Sequence, residues 1–432
     1  MNGSLATFSI VLCVLFARSA IAEETLREEI SRLQKKVDGY EDPDRFQLET
    51  EVDDYLEEVQ PFVGAEGGSW TDQVTVVWRL LGVTQGTLED CCPNVTVVNG
   101  RSDLDFLFKI TDNLQGILNL TANTDGRVLP PLNDDTTTGS GLTDGIGVNG
   151  SVTVAPDNGL AVYEAYFRHQ VTVGDSMVHY EMGKIDPRIR FSQNAFADSE
   201  YTQFINNLFD DSPAMIWLSD NTSGRQYLGM YAWMDFGENE AYTVSAGWFN
   251  TPGEFFTQGQ FLIQFGMKIR QDDRPMNLYI FAFIDEFFRD ATGDGGSGGG
   301  ASWDWQVREK IGIFVRITAT GSDANPVELD ASLGAAFTGV FGSRPDDVLG
   351  VAVGFITLRD QITTLISKDG ASDNVFGPFL EDEIHLEVYY NFMLEQGQYQ
   401  ITPAVLYIDE HAGGTGGAEG IFILSLRLFV YF

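Results

Sequence analysis

The chain has 432 residues, 43% apolar and 12% aromatic, and carries 63 Asp and Glu against 26 Lys and Arg, a formal net charge of −37. Single packed cores stop growing at roughly 250–300 residues, so this length calls for several domains or for an architecture whose interior need not be packed. A balance this acidic repels nucleic acid and gives anions no general attraction, whereas cations and divalent metals are drawn to it.

Residues 1–22 read as a secretory signal. Residues 5–16 form a short, mostly apolar run, and Ala20-Ile21-Ala22 makes an A-x-A cleavage pattern before Glu23, although Met1-Asn2-Gly3 lacks the usual basic residue. No later stretch offers the ~18 uninterrupted apolar residues of a spanning helix. An exported chain without one is destined for the periplasm, the exterior or a barrel in an outer membrane. Residues 23–68 read as a helical periplasmic segment and linker. Leu26, Ile30, Leu33, Val37 and Tyr40 form a coiled-coil seam that Gly39 and Pro43 end, and an acidic stretch over 45–59 leads to the glycine-rich residues 64–68. So short a seam is marginal alone. It calls for partner helices, or else lies as a single amphipathic helix on its own barrel. The adjacent Cys91 and Cys92 have Cα atoms ~3.8 Å apart, below the usual disulfide range, and read as two loop cysteines.

From residue 69 to 432 the pattern changes to period two and predicts a transmembrane antiparallel β-barrel. The sixteen expected strands are 74–81, 103–110, 115–122, 148–154, 160–171, 177–185, 225–236, 241–250, 259–269, 276–284, 307–318, 329–338, 348–357, 382–393, 398–408 and 420–432. Most approach the ~9–11 residues that cross a bilayer at a tilt. In the last, Phe422, Leu424, Leu426, Leu428, Val430 and Phe432 share one face, and Ser425, Arg427 and Tyr431 the other. The first face predicts a lipid surface and the second a wet lumen. Long polar insertions lie at 124–149, 187–224, 290–303 and 359–381, with the glycine run 293–300 read as a mobile loop tip. Tyr399 and Tyr407 suit an interfacial aromatic girdle. A chain that ends on Phe432 within such a strand resembles the C-terminal signature of outer-membrane barrels.

Several blocks carry a more specific likeness. They are Glu164-Ala165-Tyr166-Phe167-Arg168; Gly183-Lys184-Ile185-Asp186 with Asn194, Ala197, Glu200-Tyr201 and Phe204; Arg344, Asp346, Asp347 and Leu349; and Glu387-Val388-Tyr389-Tyr390 with Ile401-Thr402-Pro403, Tyr407-Ile408 and Gly413-Gly414. In this order, over roughly residues 70–432, they resemble the carbohydrate-selective porin family, the OprB-like porins. The resemblance implies a sixteen-strand porin, often a homotrimer, that sits in outer-membrane lipid and passes mono- and small oligosaccharides through an eyelet of basic and aromatic side chains. The N-terminal coiled coil and the strong acidity depart from the family pattern.

A pore for sugars needs charged or amide groups to hydrogen-bond and aromatic faces to stack, and each contact must be weak enough for release. The polar strand faces supply Arg79, Asp105, Lys109, Glu164, Tyr166, Arg168, Lys268, Arg316, His385, Glu387, Tyr389 and Arg427, to which the family-like blocks add Lys184. The insertion over 187–224, with Arg188, Arg190 and Asn194, is the candidate constriction if it folds inward, and an external cap if it does not. No HExxH, GxSxG or phosphate loop supports catalysis or a cofactor. The acidic loops at 133–135 and 290–294 lack a complete calcium pattern and read as solvated. A sugar porin is the leading expectation, with two others beside it: a general cation-preferring porin, and a structural protein whose coiled coil contacts the cell wall.

Overall fold

The computed structural model describes residues 73–87, 96–124, 160–174, 176–215, 227–250, 259–271, 274–285, 296–321, 327–358, 382–409 and 420–432. The signal, the coiled coil, Cys91, Cys92, the acidic loops 133–135 and 290–294, and the expected strand 148–154 lie outside them.

Sixteen strands form one closed antiparallel sheet in which each pairs with its sequence neighbours. They are β1 (Val74–Thr87), β2 (Thr96–Thr111), β3 (Leu114–Thr124), β4 (Leu160–Val173), β5 (Ser176–Ile185), β6 (Tyr227–Phe236), β7 (Tyr242–Asn250) and β8 (Gly259–Gln271). There follow β9 (Arg274–Asp285), β10 (Gly296–Arg308), β11 (Ile311–Thr320), β12 (Val327–Thr338), β13 (Val348–Leu358), β14 (Glu383–Leu394), β15 (Tyr399–Asp409) and β16 (Gly420–Tyr431). The ring closes where β1 meets β16, from Arg79 opposite Tyr431 to Thr87 opposite Ile423. Phe432 extends that seam: its N–H donates to Trp78 O at 2.9 Å and its carbonyl accepts from Trp78 N–H at 3.1 Å. Closure leaves no open sheet edge, which hydrocarbon would not tolerate.

The period-two pattern sorts side chains as the sequence predicts. On β16, Phe422, Leu424, Leu426 and Leu428 are exposed outward, while Ile423, Ser425, Arg427 and Phe429 are buried inside. Tyr399 and Tyr407 share the outward face of β15, eight residues apart, or about 26 Å along a strand at ~3.3 Å per residue. At the 35–45° tilt usual for barrel strands this is roughly 20 Å of height, comparable with the apolar band of roughly 25 Å between two interfacial girdles. Trp78 stacked on Phe432 (5.1 Å) belongs to one girdle, and Tyr407 against Phe422 (4.7 Å) to the other. The turns at 112–113 and 309–310, and the adjoining ends of β4 and β5 and of β8 and β9, lie at the end that carries Phe432. The strand ends separated by the longer stretches of sequence, from β3 to β4, β5 to β6 and β13 to β14, lie at the opposite end, the usual asymmetry of a porin barrel.

One expected loop is a strand. Residues 296–300 of the glycine run, read as a loop tip, open β10 and pair with both β9 and β11. The cause lies in the neighbouring strand: a Cβ at Gly298 would sit 2.3 Å from Phe283 Cζ, and one at Gly300 2.6 Å from Phe281 Cζ. These glycines make room for inward aromatic rings, which composition alone cannot reveal.

Candidate permeation site

The segment after β5 folds into the barrel instead of capping it. Asp186 turns the chain inward: its backbone N–H donates to Glu164 (2.8 Å), and its carboxylate accepts from Arg188 N–H (3.0 Å), the Arg188 guanidinium and the Tyr163 hydroxyl. Burial alone would raise the Asp186 carboxyl, but Arg188 beside it prevails and holds it below the usual carboxylate range. The chain then runs through Ser192, whose φ of 59° is left-handed. It reaches the short helix α1 (Asn207–Asp210), where the Asn206 side chain caps Leu208 N–H at 3.0 Å.

The apolar residues of the loop turn toward one half of the wall. Phe196, Phe204, Ile205, Leu208 and Phe209 are buried against the inner faces of β11–β14, with Phe204 edge-on to Tyr389 (4.9 Å) and tilted against Phe314 (5.6 Å). Two inward glycines make the recess. A Cβ at Gly312 would lie 2.1 Å from the Phe196 ring, and one at Gly354 2.4 Å from Leu208 Cδ2. Polar wall residues hold the loop backbone. Gln264 accepts from Ser192 N–H (2.8 Å), Asp304 from Ala195 N–H (3.1 Å), Glu387 from Ile205 and Asn206 N–H (2.9 and 3.0 Å), and Asp330 from Ala214 N–H (2.8 Å). Arg427 donates to the carbonyls of Glu200 and Gln203, both at 2.7 Å.

These contacts change the roles expected from sequence. Arg316, His385, Glu387, Tyr389 and Arg427 face inward, but the loop covers them to 2% exposure or less. They contact the loop, so the lumen face of β16 is packed where an open wall was expected. His385 accepts from the Asn206 amide at Nδ1 (2.9 Å), leaving Nε2 to face Glu383 (2.7 Å). Asn194 is likewise structural, donating to the Ser302 hydroxyl (3.0 Å) while its carbonyl accepts Phe196 N–H (3.0 Å). Lys184 alternates with the inward Glu181 and Gly183, so it shares the outward face with exposed Met182, and its ammonium donates to Val162 O (2.5 Å). It is not a lumen residue.

The other half of the lumen, along β1–β6, keeps Arg79, Asp105, Arg168, His179 and Trp233 partly exposed among ion pairs and rings that are themselves buried. Arg79 pairs with Asp105 (2.7 Å) and lies over the Tyr201 ring. Arg168 pairs with Glu181 (2.9 Å) and lies over Trp233, which stacks on His179 with centroids 4.6 Å apart at 9°. Arg190 bridges Glu181 (2.8 Å) and Glu164 (3.4 Å) over the Tyr166 ring, and Arg188 reaches Asp211 (2.8 Å). Lys109 pairs with Asp112 at the rim (3.0 Å), and Lys268 is exposed near the same end. Sequence reasoning missed Arg101, which pairs with Asp103 (3.0 Å) and Glu200 (2.9 Å) between the Tyr163 and Tyr201 rings. It also missed Glu181 and Trp233, although the parity of their strands places both inside.

The loop also sets Asp198, Glu200, Asp210 and Asp211 near one another. Asp210 is 5% exposed, and its Oδ1 has no hydrogen-bond partner. Burial, then the charges of Glu200, Asp211 and Asp198, raise its carboxyl well above the ordinary aspartate value. Among the described residues, no group of three His, Cys, Asp or Glu is placed to hold a metal ion.

Comparison with known proteins gives the same architecture. In fold, the chain is similar to the high-pH structure of Pseudomonas putida OprB, with a TM-score of 0.63 and 16% identity over 83% of this chain and 94% of that one. The low-pH structure of the same protein matches with a TM-score of 0.50 and 11% identity over 89% and 98%. No curated protein sequence matches. Residues 221–432 match the family model described as "Carbohydrate-selective porin, OprB family". With that match on a closed sixteen-strand barrel, the chain is an outer-membrane porin whose residues 221–432 are similar to the carbohydrate-selective porin, OprB family.

Proposed function

We propose that the channel passes neutral, hydroxyl-rich solutes of the sugar class, and that they travel along the β1–β6 side of the lumen. The observation that carries this reading is the stacked pair His179 and Trp233 with Arg168 over the indole, partly exposed beside the inward loop. An indole face suits the apolar face of a pyranose, and the half-exposed guanidinium beside it is chemically matched to hydroxyls. Such contacts are individually weak, as passage requires. Purified protein in a planar bilayer should conduct ions stably and show current reduced by added sugar. A folded barrel without conductance would overturn the reading.

A second reading is a cation-preferring pore, favoured by the partly exposed Asp198, Glu200 and Asp211 on the loop. Reversal potentials in a salt gradient separate it from the first. The signal over 1–22, the helical segment 23–68 with a cell-wall contact, and a homotrimeric assembly complete the proposal. Deletion of residues 23–68 that weakens the envelope while leaving solute flux intact would support a tethering role for that segment.

A further inference from the structure

We propose that Arg316 is a positioning residue whose guanidinium, by gathering both limbs of the inward loop, fixes the size of solute that the channel admits. This inference rests on reading the lumen as the solute path. Arg316 stands on the inner face of β11 at 1% exposure. Its Nη1 donates to Phe209 O (2.6 Å) and Asp211 O (3.2 Å), and its Nη2 to Ser192 O (3.0 Å) and Ala197 O (2.9 Å). Its nearest acid is Asp198, at 3.4 Å. One side chain thus ties the descending limb, around 192–197, to the returning limb, around 209–211.

The chemistry suits arginine specifically. Four carbonyl oxygens converge on a planar fork whose donors point in fixed directions, whereas a lysine ammonium has three donors around one atom and cannot span two pairs of acceptors. Around this hub the wall is shaped for the loop: Phe314 on the same strand packs on Phe204, and Gly312 yields its side-chain space to Phe196. The two limbs carry Asp198 and Asp211, both half-buried, and Arg188 meets Asp211. Releasing the limbs from β11 therefore moves the loop that occupies this side of the lumen. The wall itself depends on backbone pairing of β11 with β10 and β12, which the side chain does not enter.

The test compares wild type with Arg316→Ala and Arg316→Lys in planar bilayers and in liposome swelling, using a ladder from monosaccharides to hexasaccharides. The expected result is raised single-channel conductance and several-fold faster entry of the larger sugars relative to monosaccharides in Arg316→Ala, with no rescue by lysine. Heat-modifiable migration on a gel reports that the barrel has folded. Should Arg316→Ala fail to assemble, Arg316→Gln, which keeps an amide donor for one limb, carries the same test with an intermediate cutoff expected. An unchanged ladder in folded Arg316→Ala overturns the inference, as does restoration of the wild-type ladder by lysine, which would assign charge alone. Wild-type protein that conducts nothing overturns instead the porin reading on which it rests.

Discussion

Glu387 offers a direct measure of how firmly the loop is seated. Its carboxylate, 1% exposed on β14, accepts Ile205 N–H at 2.9 Å and Asn206 N–H at 3.0 Å, and both loop residues are at 2% exposure or less. Glu387→Ala leaves two buried donors without a partner. Each orphaned group costs about 1–3 kcal/mol, so the seated loop loses about 2–6 kcal/mol relative to an unseated one. Even about 2 kcal/mol corresponds to a population change of about thirtyfold. Amide hydrogen exchange on the protein in nanodiscs reads this at Ile205 and Asn206, with the β16 ladder as internal reference. The expected outcome is exchange faster by about thirtyfold or more at the two amides and unchanged in β16, with Glu387→Gln intermediate because one acceptor oxygen remains. Unchanged exchange at Ile205 and Asn206 in Glu387→Ala would refute the reasoning, since the carboxylate would then not be what holds them.

Gly312→Val should displace Phe196, because the new Cβ falls 2.1 Å from its ring; overpacking of this kind costs about 1–3 kcal/mol. Limited proteolysis within 186–215, with an intact barrel on the gel, is the readout. Trp233→Ala should weaken sugar block of the ion current more than it alters ion conductance, as its role is to present a ring face. Asp210 predicts a pH effect. Its carboxyl is raised, so its contribution to loop stability is fully present below the ordinary aspartate value of about 3.9 and is lost as pH rises through its own higher value. Loop proteolysis should therefore accelerate with pH in wild type, and that acceleration should be smaller in Asp210→Asn, with the buried wall carboxyls Asp304, Asp330 and Glu387 that hold the loop keeping the remainder.

The barrel was legible because period two is written residue by residue: β14 alternates Ile384, Leu386 and Val388 with His385, Glu387 and Tyr389, and the structure keeps every one of these assignments. Parity also placed Arg316 and Arg427 inside. It could not say that a distant loop covers them, because the partners of Arg316 lie more than a hundred residues away. Lys184 went wrong through trust in a sequence block, when counting from Glu181 puts it outside. β10 was lost because the rings that fill the space beside Gly298 and Gly300 belong to β9.

Net charge and the charge a solute meets are different quantities in this molecule. The chain carries −37, yet along β1–β5 and the start of the loop Asp105 faces Arg79, Asp103 faces Arg101, Glu181 faces Arg168 and Arg190, and Asp186 faces Arg188, all within about 3 Å, with only Arg79, Asp105 and Arg168 partly exposed. Beneath the loop, Glu387, Asp330 and Asp304 are satisfied by backbone N–H groups. Ion pairs this close act on a passing solute as local dipoles, which hydrogen-bond a hydroxyl but form no deep well for an ion. The unpaired excess of the chain acts at longer range and is screened beyond ~10 Å at 0.1 M salt, whereas buried charges are screened far less. Salt therefore separates the two sources of selectivity. A cation preference that fades as salt rises comes from the overall acidity, and one that persists comes from the loop carboxylates Asp198, Glu200 and Asp211.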